Sequence, residues 1–181
     1  MDIINYDDKP TLPKIDMVCD VVIHPKLLST AMTRKCFSTS HTLLICGGTG
    51  SGKTSWVLQM LKINLFARVY HDIFLFMPEN SFASIAEKDN VFKEFLPDEN
   101  IYHELTPDNL QEVYEKLQTN SRKKMFSLVI IDDYGDLLRD KKIEKYLNTI
   151  FLKNRHLRTS SWILCQNYYM MSKKVREITN N

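Results

Sequence analysis

Clustered glycines, a Lys-Thr pair, paired aspartates and a strand-end glutamine are the residues in this chain whose types and spacing suit chemistry. The octet Gly47-Gly48-Thr49-Gly50-Ser51-Gly52-Lys53-Thr54 fits G-x-x-x-x-G-K-[ST], the phosphate-binding loop. Glycine reaches backbone conformations closed to other residues, so successive N–H groups can turn inward onto phosphate oxygens. A helix opening at Lys53 would point its positive end at the same anion. Lys53 is then expected at the β- and γ-phosphates and Thr54 on Mg²⁺, with Thr49, Ser51 and Ser55 completing the set around ATP. Of the five glycines in the chain, four lie between Gly47 and Gly52, which speaks for a local backbone requirement.

A second group follows roughly 80 residues later. The apolar run Leu128–Ile131 ends in Asp132-Asp133, the Walker B pattern. Strands of open α/β sheets present ligand sites at their carboxyl ends. Asp132 would hold Mg²⁺, and Asp133 would polarise the attacking water as general base. Gln166, after the apolar run Trp162–Cys165, is placed to hydrogen-bond that water or the γ-phosphate. Each group has a plainer reading: a turn and helix cap for the aspartates, a backbone-capping amide for the glutamine.

The elements needed to position these residues can be read from periodicity. Leu43–Cys46 reads as a buried strand, and Lys53 to about Phe66 as a helix with Trp56, Val57, Met60 and Leu61 facing the core. Val69–Met77 is a second apolar strand, residues 80–96 a short helix and loop, and Ile101–Leu105 a further strand. Thr106-Pro107 opens a helix as N-cap and first helical residue, with Leu110, Val113, Tyr114 and Leu117 as its stripe. Lys141–Asn154 is amphipathic through Ile143, Tyr146, Leu147, Ile150 and Phe151. Residues 154–160 read as a polar turn. The fold implied is α/β, a RecA-like P-loop NTPase of the ASCE type, with a parallel sheet flanked by helices on both faces. Residues 1–40 read as an N-terminal extension with a strand at Met17–Ile23, and 41–181 as the ATPase domain. Its ending soon after the last strand suggests a C-terminally shortened domain.

Composition adds bounds. The chain has 181 residues, 44% hydrophobic and 25% charged, as in an ordinary globular domain. No window of 18 apolar residues suggests a transmembrane segment, and the acidic N-terminus shows no signal peptide. Cys19, Cys36, Cys46 and Cys165 form no C-x-x-C pair, and reduced core thiols in an intracellular setting are the expectation. Residues 1–120 carry 11 Lys and Arg against 16 Asp and Glu, whereas residues 121–181 carry 13 against 6. The basic third fits either solvated surface or a face turned to a polyanion.

GGTGSGKT, HDIFLFMP, LVIIDDYGDLL and FLKNRHLRTSSWILCQNYY together resemble the genome-packaging ATPases of poxviruses and other large cytoplasmic DNA viruses, within the FtsK/HerA group of P-loop motors. The more specific part is Arg155-His156 with Ser160 and Gln166, and the likeness runs from about Leu43 to Tyr169. It implies a homo-oligomeric ring of five or six subunits that drives double-stranded DNA into a virion shell. Host cytoplasm and virion would be its locations, and capsid or inner-membrane virion proteins its further partners. It also implies an arginine acting in trans from the neighbouring subunit: Arg155 first, Arg158 second, Arg176 third. Cellular relatives place Glu where Asp133 stands, one departure from the wider group.

Four other functions each have a requirement of their own. A zinc-bearing nucleoside kinase needs paired C-x-x-C ligands, a nucleotide kinase an arginine-rich lid, and a GTPase an N-K-x-D motif; none occurs. A nucleotide-gated assembly module would need no water-polarising acid.

Overall fold

The computed structural model describes residues 40–62, 69–87, 90–135 and 137–179. The strand expected at Met17–Ile23 and the end of the helix expected to reach Phe66 lie outside them. Five strands, β1 (Thr42–Cys46), β2 (Asp72–Phe76), β3 (Ile101–Tyr102), β4 (Ser127–Asp132) and β5 (Thr159–Cys165), form one sheet in the order β1-β5-β4-β2-β3. All of its pairings are parallel. Parallel neighbours need crossovers, supplied here by α1 (Lys53–Lys62), α2 (Glu79–Ala83), α3 (Val91–Phe95), α4 (Pro107–Arg122), α5 (Lys141–Leu152) and α6 (Asn154–Leu157), while α7 (Lys173–Thr179) follows β5.

The sheet separates two apolar layers. Alternate residues of each strand point to opposite faces. Phe74, Phe76, Val129, Ile131 and Ile163 pack with Leu110, Val113, Leu117, Leu147 and Ile150 of α4 and α5. Ile73, Leu75, Leu128, Ile130 and Trp162 pack with Val57 and Leu61 of α1 and with Val91 and Phe92 of α3. Burial on both faces explains why β2 and β4 read as continuous apolar runs rather than alternating ones.

Local signals set the helix starts. Thr106 Oγ1 accepts from the Asn109 N–H and Pro107 begins α4. Asp140 accepts from the N–H groups of Lys142 and Ile143 to begin α5.

Three features differ from the sequence reading. The expected polar turn at 154–160 is the short helix α6 plus the start of β5, which Arg158 joins in a left-handed conformation (φ 51°). Thr159, Ser160 and Ser161 are buried strand residues, their hydroxyls masking the strand pattern. Trp56 is 37% exposed and meets the Trp162 ring rather than filling the core. Cys46 is an exposed thiol, not a core one.

Candidate nucleotide site

The strand order determines which side chains meet. β5 lies between β1 and β4, so the loop after β1 and the acids after β4 flank the end of β5 at one rim of the sheet. The loop turns through Gly50 and Gly52 at φ 76° and 84°, a region that disfavours side-chain-bearing residues. Ser51 N–H donates to the Gly48 carbonyl, and the Gly47 N–H donates to the Cys165 carbonyl at 3.1 Å, anchoring the loop to β5. α1 begins at Lys53 with no acidic residue in its first turn, so its positive end stays uncancelled toward the rim.

The Lys53 ammonium donates to the carbonyls of Gly47 (2.7 Å) and Gly48 (3.1 Å), lying over the loop. The Thr54 hydroxyl donates to Asp132 Oδ2 at 2.6 Å. That bond reaches from the β1 loop to the β4 terminus across the end of β5. Asp132 is 4% exposed, and burial raises its pKa above the usual 3.8. The Thr54 hydrogen bond and Lys53 pull it down, and neighbouring Asp133 pushes it up. A buried carboxylate paired with a hydroxyl is a hard, all-oxygen donor pair, the chemistry that suits Mg²⁺. Among the described residues no group of three or more His, Cys, Asp and Glu side chains forms a metal cage. The pair therefore suits an ion that completes its shell with phosphate and water oxygens.

Asp133 is the next residue yet faces outward. Its φ of 63° turns the chain sharply, and its carboxylate accepts from the Ser81 hydroxyl of α2 at 2.7 Å. Ser81 is a site residue that sequence reasoning missed, since a half-buried serine in a short helix belongs to no motif. Gln166, exposed at the end of β5, lines the same cleft as Lys53, Asp132 and Asp133. The cleft has two lobes of about 310 and 480 Å³. The larger also takes in Thr49, Gly50, Thr54 and Ser55.

The arginines stand elsewhere. Arg155 is exposed on α6, at the amino end of β5 and so at the opposite rim from Lys53. The seven residues of β5, at about 3.3 Å each, separate it from Gln166 by roughly 20 Å. Arg158 stacks on the Phe126 ring and donates to the Lys124 carbonyl, which commits it to its own fold. Arg176 lies over the rings of both Tyr168 and Tyr169. The Ser160 hydroxyl is buried against His41 at that far rim, where it supports β1 rather than the cleft.

A glycine loop on a helix start, joined to a strand-end acid in a parallel sheet with one strand between them, defines a RecA-like P-loop NTPase. The pattern of the poxvirus A32 protein family matches residues 30–180. The chain belongs to that family. No curated protein sequence matches it.

Solved structures with the same fold include the DNA-packaging ATPase B204 of Sulfolobus turreted icosahedral virus. There the identity is 17% and the TM-score 0.57, over 75% of this chain and 70% of that one. The genome-packaging NTPase B204 of Sulfolobus turreted icosahedral virus 2, in complex with AMPPCP, matches at 16% and 0.52, over 78% and 72%. A KaiC-like protein of Pyrococcus horikoshii OT3 matches at 17% and 0.51, over 79% and 70%.

Proposed function

We propose that this chain is the ATP-hydrolysing subunit of a viral genome-packaging motor that moves double-stranded DNA. The observation that carries the reading is the meeting of Lys53, Thr54, Asp132, Asp133 and Gln166 around one cleft. Family membership and the packaging role printed for B204 support the choice of substrate.

The geometry supports a division of labour. The loop N–H groups and Lys53 bind and orient the triphosphate. Thr54 and Asp132 would hold Mg²⁺, which when bound neutralises charge on the phosphate oxygens. Asp133 takes a proton from the attacking water, held in place by Ser81, and Gln166 orients that water from the other side. Arg155 cannot serve the cleft of its own subunit from the opposite rim. It suits a neighbour's cleft in a ring, where a trans arginine is worth about 10³–10⁵ in rate in well-studied NTPases. The Ser121 hydroxyl donates to the His156 carbonyl and Arg158 to that of Lys124, so the Arg122–Lys124 run lies against Arg155-His156. That basic rim is suited to a neighbour's phosphates or to DNA.

Phosphate release with and without duplex DNA tests the reading on chain of known mass in solution. DNA should raise turnover, with a steep loss of DNA binding as salt rises. Stimulation by a small phosphoryl acceptor instead would make the chain a kinase, and turnover indifferent to DNA would refute a translocase.

A further inference from the structure

We propose that Cys46 and Cys165 form a reversible disulfide that ties the phosphate loop to the strand bearing Gln166 and arrests ATP turnover. The consequence for turnover rests on the function proposed above; the bond itself does not. Cys46 ends β1, Cys165 ends β5, and the two are register partners in adjacent parallel strands. Neighbouring strands run about 4.8 Å apart, inside the roughly 4.4–6.8 Å Cα separation that disulfides span. Register partners point to the same face, and here the two Sγ atoms are 3.3 Å apart.

The two thiols differ in a way that orders the chemistry. Cys46 is exposed and open to a soluble oxidant. Cys165 is 2% exposed, and burial, reinforced by the neighbouring Cys46 sulfur, pushes its thiol up to about 12. The oxidant required is a small disulfide of the glutathione class. The Cys46 thiolate attacks one of its sulfurs, forming a mixed disulfide and releasing one small thiol. The Cys165 sulfur then displaces the second small thiol, its proton leaving with that thiol. The protein gives up two electrons and two protons, and the oxidant becomes two thiols. Excess thiol reverses both steps. In an intracellular protein such a bond is redox-sensing rather than structural.

The link to turnover is covalent and short. Cys46 immediately precedes Gly47, whose N–H already donates to the Cys165 carbonyl, and Gln166 follows Cys165. Cys165 lines the lobe of the cleft that holds Lys53 and Gln166. Bonding the two sulfurs, now 3.3 Å apart, would lock the first residue of the loop to the Gln166 strand and stop the two from adjusting to each other during turnover. A shift of about 1 Å in positioned groups can cost about 10²-fold in rate.

The test takes the reduced full chain through glutathione buffers of increasing oxidised fraction, alkylates free thiols and maps peptides by mass. Phosphate release is followed on the same samples. A Cys46-to-Cys165 linked peptide should appear while turnover falls about 10–100-fold, and both should revert with dithiothreitol. The exposed-site variant Cys46→Ser should keep its turnover at every buffer composition and give no link. Links through Cys19 or Cys36 in its place, a glutathione adduct that stays on Cys46, or a link that leaves turnover unchanged would overturn the proposal. A reduced chain without turnover would strike the proposed function instead, and the peptide map would still decide for or against the bond.

Discussion

Asp133→Asn separates binding from cleavage because the structure keeps everything else constant. The residue sits at φ 63°, where Asn and Asp are the side-chain-bearing residues best tolerated. The amide oxygen of Asn still accepts from the Ser81 hydroxyl, so the turn and its 2.7 Å tether survive. Loss of the charge also relieves Asp132, whose proton affinity Asp133 raises. The variant should therefore fold at least as well as the parent. Its catalytic deficit is that of a missing general base, about 10²–10⁴ in kcat, or about 2.7–5.4 kcal/mol in barrier at 1.36 kcal/mol per decade. Initial rates of phosphate release at saturating magnesium and ATP measure kcat, and titration with a fluorescent ATP analogue measures affinity. Affinity should stay within about threefold while kcat collapses. Turnover within about threefold of the parent would remove Asp133 from the chemistry. A parallel fall in affinity would make it a ligand rather than a base.

Ser81→Ala removes the hydroxyl that tethers Asp133; with bonds to charged groups worth about 1.5–3 kcal/mol and this one near solvent, kcat should fall about tenfold with affinity kept. Ser81→Thr should restore it, and an unchanged rate in the alanine variant would deny Ser81 a role. Asp132 predicts a pH dependence. Its folded-state pKa lies above the unfolded value of 3.8, so its stabilising contribution is full below 3.8 and is lost as pH rises through the native value. Without nucleotide and magnesium, Asp132→Asn should melt higher than the parent at neutral pH, the gap closing toward acid; a pH-independent gap would refute this. Arg155→Ala chains should lose turnover alone, yet regain it in mixtures with Asp133→Asn chains, since one interface then holds both intact groups. Mixtures that stay inactive would exclude Arg155.

What could be read from the sequence was what local chemistry determines. Lys53, Thr54 and the glycines depend on a turn and a helix start a few residues apart, and Asp132-Asp133 on the end of an apolar run. Thr106 and Pro107 likewise marked the start of α4 by their own backbone preferences. What escaped depends on register and strand order. Ser81 becomes a site residue only because α2 follows β2, the neighbour of β4. Cys46 and Cys165, 119 residues apart, become a pair only once β1 lies beside β5. The hydroxyls of Thr159, Ser160 and Ser161 hid the first three residues of β5, whose apolar remainder was legible; those of Thr159 and Ser160, bonded to the Leu157 carbonyl and to His41, break the apolar pattern without breaking the fold.

The left-handed turn at Asp133 gives a physical reason for aspartate rather than glutamate at this position. A strand that ran straight past Asp132 would send the next side chain to the opposite face of the sheet. The positive φ instead turns that carboxylate outward over the cleft, within reach of Ser81, while Asp132 stays buried against Thr54. One peptide unit thus separates a 4% exposed carboxylate suited to a metal ion from an exposed one suited to a water molecule. In the left-handed region a residue other than Gly, Asn or Asp costs roughly 1–2 kcal/mol, since only a short polar side chain can bond locally there. A glutamate at position 133 would meet that strain and carry its carboxylate one methylene beyond the Ser81 hydroxyl. The shorter acid and the turn therefore belong together, and Ser81 on α2, the helix that follows β2, is the third member of the same solution.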